Sequence, residues 1–467
     1  MHRNAPHSVR LVVTAGLILS TVFASAATAQ SRRSRQQTPA TPQAQPAQTP
    51  AASAFDDLEP SPFIKRTKPK RWTLETMIFI GTTEYTKVID GQTVPANDLW
   101  EFNAATLVFP VLSETSSSIL EVRGRGDEVV PAVTGRVEFD DRLMTDEVAI
   151  VKQGIGGGLL PSGTWRAQWQ VEPSSRGAYA PREMELHVKT ALVSHEIEFD
   201  ERNAREVEWP KGEWPPEAAA TFEPQMLVDF DAQGRRYDMS KVVKLLQAWT
   251  NNKDPKSIKP VLLAKFLAGQ VAEYVQPNGE GLAFDKTGML EGFAPVGPAA
   301  AALEGQGTEI DLPILLVAMY RAAGLPARIV IGYDEQGAGK SVYLKQSGGD
   351  GEIRVWVEFA LYDEDNKTFG WVPVDVAALR SASSKMPPKF LDRPTKFFGT
   401  HDELDRVAPI AFHFHPPTTV RSYGSPALWG WFVTPTPPGR ADQRVSFSLT
   451  SSPNGGRDQS RLPDDKR

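Results

Sequence analysis

The run from Leu312 to Ala323 constrains this chain most: Leu-Pro-Ile-Leu-Leu-Val-Ala-Met-Tyr-Arg-Ala-Ala carries one charge and is otherwise almost wholly apolar. A helix that is apolar on nearly every side must be enclosed by other elements. Gly324 ends it, Pro326 prevents its continuation, and Ala327-Arg328-Ile329-Val330-Ile331 starts a strand. The rest of the chain must therefore provide a core around a central helix.

Two segments downstream read as strands that pack there. In Ile353–Leu361 the odd positions are Ile, Val, Val, Phe and Leu, which puts Arg354, Trp356 and Glu358 together on the opposite face. In Gly370–Asp375, Trp371, Pro373 and Asp375 share a face against Val372 and Val374. Upstream, Val242, Val243, Leu245, Leu246 and Trp249 form a helical stripe broken by Pro255, and Val261, Leu262, Phe266, Leu267, Val271 and Val275 form a second. A buried helix on antiparallel strands is an α+β arrangement.

Residues 63–215 have a different pattern. Trp165, Ala167, Trp169 and Val171 alternate with polar residues, as do Met184, Leu186 and Val188, and turn residues separate the runs. This is the signature of antiparallel strands with one wet face, and predicts a β-sandwich-like domain. His195 falls on the apolar face of the last run as a hydrogen-bonded core or rim histidine; His187 points the other way and is expected to be exposed. Gly154–Gly158 lacks the Lys-Ser/Thr that a phosphate-binding loop requires.

The ends carry an address. Arg3 and Arg10, the apolar run Leu11–Ala24 and Ala27-Thr28-Ala29 have the form of a cleavable secretory signal over residues 1–29. The run is short against the roughly 20 residues of a spanning helix, so the mature chain is expected to have no membrane span. Removing residues 1–29 takes away two arginines and no acid, moving the formal charge from −6 to −8. An acidic exported chain has no general electrostatic reason to bind nucleic acid. Residues 30–62 form a Pro/Gln/Thr-rich tether, and the tail from 436 is polar apart from a short strand at Val445–Leu449. The expected location is secreted or periplasmic.

The chain has no cysteine. Disulfides, thiolate metal sites and thiol nucleophiles are all excluded. His413 and His415 alternate with Phe412 and Phe414 as in an ordinary strand, so neither a metal nor a cofactor is expected.

Three blocks in order, Arg-Ala-Ala-Gly-Leu-Pro-Ala-Arg-Ile-Val-x-Gly-Tyr, Arg-Val-Trp-Val-Glu and Gly-Trp-Val-Pro-Val-Asp, resemble the transglutaminase-like domain of the papain-like cysteine enzymes. The resemblance runs from Ser240 to Pro417 and includes Phe397-Phe398-Gly399-Thr400-His401; the domain is expected over residues 216–435. It implies a Cys-His-Asp triad whose positions here are Glu309, Arg354 and Asp375. A carboxylate is a poor acyl-transfer nucleophile, and a guanidinium, with a pKa above about 12, cannot shuttle a proton. Glu309 and Arg354 nevertheless keep the negative–positive pattern of a thiolate–imidazolium pair. An ion pair between them, braced by Asp375, is the expectation. Asp311 as N-cap would place Pro313 in the first turn and Glu309 ahead of the helix.

The expected protein is a catalytically inactive module that binds a peptide, a protein or an envelope component, with Trp356, Glu358 and Trp371 as candidate cleft residues. The alternatives are a hydrolase using Glu309, Asp311 or Asp375 as a carboxylate pair, and carbohydrate binding by the Trp-rich β domain.

Overall fold

The computed structural model describes residues 57–451, with its main breaks at 97–103, 124–129, 154–162, 171–182, 285–289, 335–343, 346–351, 383–394, 413–429 and 435–440. The Gly154–Gly158 segment, His413, His415, the signal residues 1–29 and residues 30–56 of the expected tether lie outside the described residues, whereas the end of that tether is ordered as the edge strand Glu59–Pro60.

The apolar run becomes the helix Asp311–Ala322, buried from Asp311 through Tyr320. Gly324 ends it with φ at +84°. There its N–H donates to the Arg321 carbonyl while the Leu325 N–H reaches back to that of Tyr320, which occupies carbonyls the helix leaves open. The helices Ser240–Trp249, Pro260–Tyr274 and Pro298–Glu304 surround it. Tyr320 donates its hydroxyl to the Ala264 carbonyl at 2.8 Å, and its ring meets Phe359 edge-on at 5.8 Å.

The helix packs on a sheet ordered Glu59–Pro60, Thr368–Val374, Glu352–Asp363, Ala327–Asp334 and Val407–Phe412. Its pairings are antiparallel except that of the two-residue edge strand, which runs parallel to its neighbour. Strand Ala327–Asp334 is buried at every position, and Glu352–Asp363 at all but the last. Both faces of this sheet are therefore covered. Val355, Val357, Phe359 and Leu361 belong to the main core, while Trp356 joins Ile197, Val330, Leu404 and Val407 in a smaller cluster.

The β-rich half contributes Ile197 to that second face. One antiparallel sheet is ordered Arg142–Thr145, Val133–Phe139, Glu183–Phe199, Ile64–Thr82 and Ala441–Ser451. A second is ordered Ala149–Gln153, Gly163–Gln170, Ala104–Val111 and Gly430–Thr434. The long strands Ile64–Thr82 and Glu183–Phe199 pair along their length with a bulge between Ser194 and Glu196. Bulging swings Ser194 inward, where its hydroxyl donates to the Val407 carbonyl at 2.8 Å, and leaves His195 half-buried against the Ser117 carbonyl. His195 is the hydrogen-bonded rim histidine expected of it. Trp72 ties the sheets further through a 2.8 Å indole bond to the Asp405 carbonyl.

Two expectations are corrected. His187 is buried, not exposed: its ring lies between Glu75 at 2.8 Å and Glu185 at 3.1 Å, so charged neighbours cover it. The C-terminal strand is longer than Val445–Leu449, running from Ala441 to Ser451 along the edge of Ile64–Thr82. Its alternation was legible only at its centre, because an edge strand with one wet face tolerates polar residues at its ends.

Gly332, opposite Arg354 in the sheet, lets Trp356 and Val407 close over the backbone: a Cβ there would lie 2.8 Å from the Trp356 ring and closer still to Val407. Gly332→Ala is expected to destabilise the chain by about 1–3 kcal/mol, read as a lower denaturant midpoint with an unchanged slope.

Candidate functional site

Glu309 sits half-buried in the turn ahead of the central helix, with its N–H donating to the Gly279 carbonyl at 3.0 Å. Ile310 is in the cap position and Asp311 is the first helical residue. Asp311 is thus not the N-cap. Its buried carboxylate instead accepts from the N–H groups of Thr308, Gly297 and Val296, at 2.7, 2.9 and 3.1 Å, and from the Thr308 hydroxyl at 2.7 Å. Those bonds fasten the turn to the segment before Pro298. Pro313 remains within the first turn, where its missing N–H costs nothing.

Arg354, expected at the second triad position, is fully buried. Its NH2 lies 3.0 Å from Glu403 and 3.5 Å from Asp334. Arg406 shares both carboxylates, at 2.8 Å to Asp334 and 3.1 Å to Glu403. Neither Asp334 nor Glu403 belonged to the anticipated triad. Both reach Arg354 across the sheet from elements distant in sequence, Asp334 from the end of the strand paired with it and Glu403 from the turn before Val407.

Asp375 holds the third position and is also fully buried. It follows strand Thr368–Val374 and caps the helix Val376–Ser381, accepting the Ala378 N–H at 2.9 Å. Its other oxygen faces His401 Nε2 at 3.3 Å. The Glu403 N–H points at His401 Nδ1, which places the proton of a neutral ring on Nε2, towards Asp375. Sequence reading missed this histidine as a site residue, although it quoted the loop. The spacing of the family's own histidine led to Arg354, and no local pattern announces a partner 26 residues beyond Asp375.

Burial alone would raise the Asp375 carboxyl. The hydrogen bond and electrostatic attraction of His401, the charge of Arg354 and the Ala378 N–H together outweigh it and leave the group below its ordinary value. Glu403 behaves alike: burial raises it, but the charge and hydrogen bond of Arg354, with Arg406 beyond, hold it down.

The three candidate cleft residues collect around another buried arginine. Glu358, opposite Arg328 in the sheet, accepts from Arg328, from the Ser116 N–H at 2.8 Å and from the Trp356 indole at 3.3 Å. Arg328 also pairs with Glu217 at 2.9 Å and lies 3.9 Å from the centre of the Trp371 ring. Trp356 and Glu358 are fully enclosed. Trp371 lines a cavity of about 230 Å³ together with residues 58–61, Glu114, Ser116 and Glu217.

Among the described residues Glu138, Glu185 and His187 have spacing compatible with a metal ion. Arg136 lies 2.9 Å from Glu138, and Lys189 is 3.3 Å from the neighbouring Glu75, so the cluster already holds its own counter-charges.

Residues 270–376 match the core of the transglutaminase-like superfamily. No cysteine stands in this stretch or elsewhere in the sequence, so a thiol nucleophile is absent. No curated protein matches the chain. Among solved structures, one described as a "Putative Cysteine Protease" from Cytophaga hutchinsonii has 11% identity and a TM-score of 0.43, over 84% of this chain and 94% of that one. Another, a "Putative Protease" from Parabacteroides distasonis, has 11% identity and a TM-score of 0.21, over 56% of this chain and 43% of that one.

Because Asp375 and Glu403 titrate lower in the folded chain than in the unfolded one, their stabilisation is complete above the ordinary carboxylate range. It is lost as pH falls through the folded values. On account of these two groups the Tm should fall as pH drops below about 4.5. Asp375→Asn should lower the neutral-pH Tm and flatten part of the acid limb; an acid limb as steep as the parent's would contradict this account.

Proposed function

We propose that this chain, whose residues 270–376 are a transglutaminase-like core, is a non-catalytic binding module for a peptide, a protein or an envelope component. The carrying observation is the state of the second triad position. Arg354, withdrawn from water and paired with Asp334 and Glu403, offers neither a transferable proton nor a free site. With no cysteine anywhere in the chain, acyl transfer through a thioester has no attacking atom.

A carboxylate-based hydrolase would need two carboxyls facing each other across a substrate. Asp311 and Asp375 are both fully buried, and each is engaged in holding a chain turn. The His401–Asp375 pair has the form of an oriented base. Its ring is also fully buried, with Phe397 packed edge-on 5.0 Å away. The binding reading is therefore preferred. Export, as the leader-like residues 1–29 imply, belongs to the same proposal and would put the partner outside the cytoplasm.

The purified mature chain is expected to show no amide hydrolysis and no amine crosslinking above background, with or without thiol-directed inhibitors. Turnover that disappears in Glu309→Ala would overturn the proposal.

A further inference from the structure

We propose that the cavity beside Trp371 is a receptor for one cationic side chain, a lysine or arginine, presented by a peptide or protein partner. The inference deepens the binding role above and rests on it. The cavity lies against the edge strand Glu59–Pro60, which pairs with strand Thr368–Val374.

Size decides first. Pockets for drug-sized ligands run to about 300–1,000 Å³. A space of about 230 Å³ suits one long side chain rather than a folded ligand.

Charge decides next. Three carboxylates, Glu59, Glu114 and Glu217, stand on the wall with one cation, Arg66. Arg66 is already committed: its Nε donates to the Ser116 carbonyl at 2.9 Å, and its NH2 to the Thr115 carbonyl at 2.7 Å and to Glu114. An anion would meet little but acceptors. Glu217 uses Oε1 for both the Trp371 indole, at 2.8 Å, and Arg328, which leaves Oε2 outside those bonds. Glu59 is exposed and forms no ion pair among the described residues. With Arg66 answering Glu114 and Arg328 answering Glu217, the exposed Glu59 gives the wall one unbalanced negative charge, which favours an entering cation.

The third observation is an unmet hydroxyl. Ser116 is only 2% exposed, and its Oγ has no hydrogen-bond partner, although both backbone polar groups of the residue are occupied. Buried hydroxyls are ordinarily paired, so one lining a cavity indicates a group that enters it. A protonated amine or guanidinium supplies that donor. Phe369, edge-on to Trp371 at 5.6 Å, adds an aromatic wall for the aliphatic stem.

The test titrates the full purified chain with N-acetyl-lysine methylamide, N-acetyl-arginine methylamide and the uncharged N-acetyl-norleucine methylamide, followed by calorimetry or NMR. Saturable binding of at least one cationic probe is expected, about tenfold tighter than the norleucine analogue and weakening with salt. Glu59→Gln, an exposed change that leaves the fold intact, should weaken that probe about threefold. Ser116→Ala should weaken it while leaving Tm unchanged or higher. Equal binding of the norleucine analogue, indifference to both substitutions, or tighter binding of glucosamine at the same site would each overturn the proposal. Hydrolytic activity would end the non-catalytic reading without touching these titrations. An inactive chain that binds neither cationic probe would end this site alone.

Discussion

The structure depends on two guanidinium groups taken out of water. Arg328 and Arg354 are 1% and 0% exposed, on neighbouring strands of the central sheet. Removing such an ion from solvent costs several kcal/mol unless carboxylates and hydrogen bonds surround it. Arg328 is therefore held by Glu358 and Glu217 and stacked on Trp371, while Arg354 is held by Asp334 and Glu403. Those partners come from both strands and from flanking turns, so the charged face of the sheet exists only when the whole surround has closed over it.

That requirement links the two halves of the chain. The Ser116 N–H reaches Glu358, Ser194 bonds the Val407 carbonyl, Trp72 bonds the Asp405 carbonyl, and Ile197 and His401 exchange backbone hydrogen bonds. Every one of these contacts joins the β-rich segment to residues 358–407, on or beside the central sheet. Where a cysteine enzyme of this family needs an open, reactive groove, this chain has buried charge that is neutralised in place. The buried helix and its sheet form a rigid scaffold without a thiol, and the proposed recognition lies on the Trp371 side of the same sheet.

Elements with a strong internal period were readable from the residues alone. The central helix was expected to span Leu312 to Ala323 and spans Asp311 to Ala322. The helices begun by Ser240 and Pro260 and the strands around Val357 and Trp371 also fall where the apolar spacing placed them. Periodicity reports which face is apolar. It does not report what covers the other face, which is why Trp356 and Glu358, read as cleft residues, are found enclosed. His187 failed for the same reason: a position on the wet face of a half-wet strand is exposed unless neighbouring strands bring acids over it, and Glu75 comes from a different strand.

By itself the sequence determined the α+β class, the buried helix, the order of the family's motif blocks and the absence of any thiol, because each is a property of local spacing or composition. Only the tertiary structure decided which groups surround Arg354 and Asp375. Asp334, Glu403 and His401 meet Arg354 and Asp375 from positions 20 to 49 residues away, and no local rule couples groups at such separations. Their meeting is set by strand register and by the need to leave no buried charge alone.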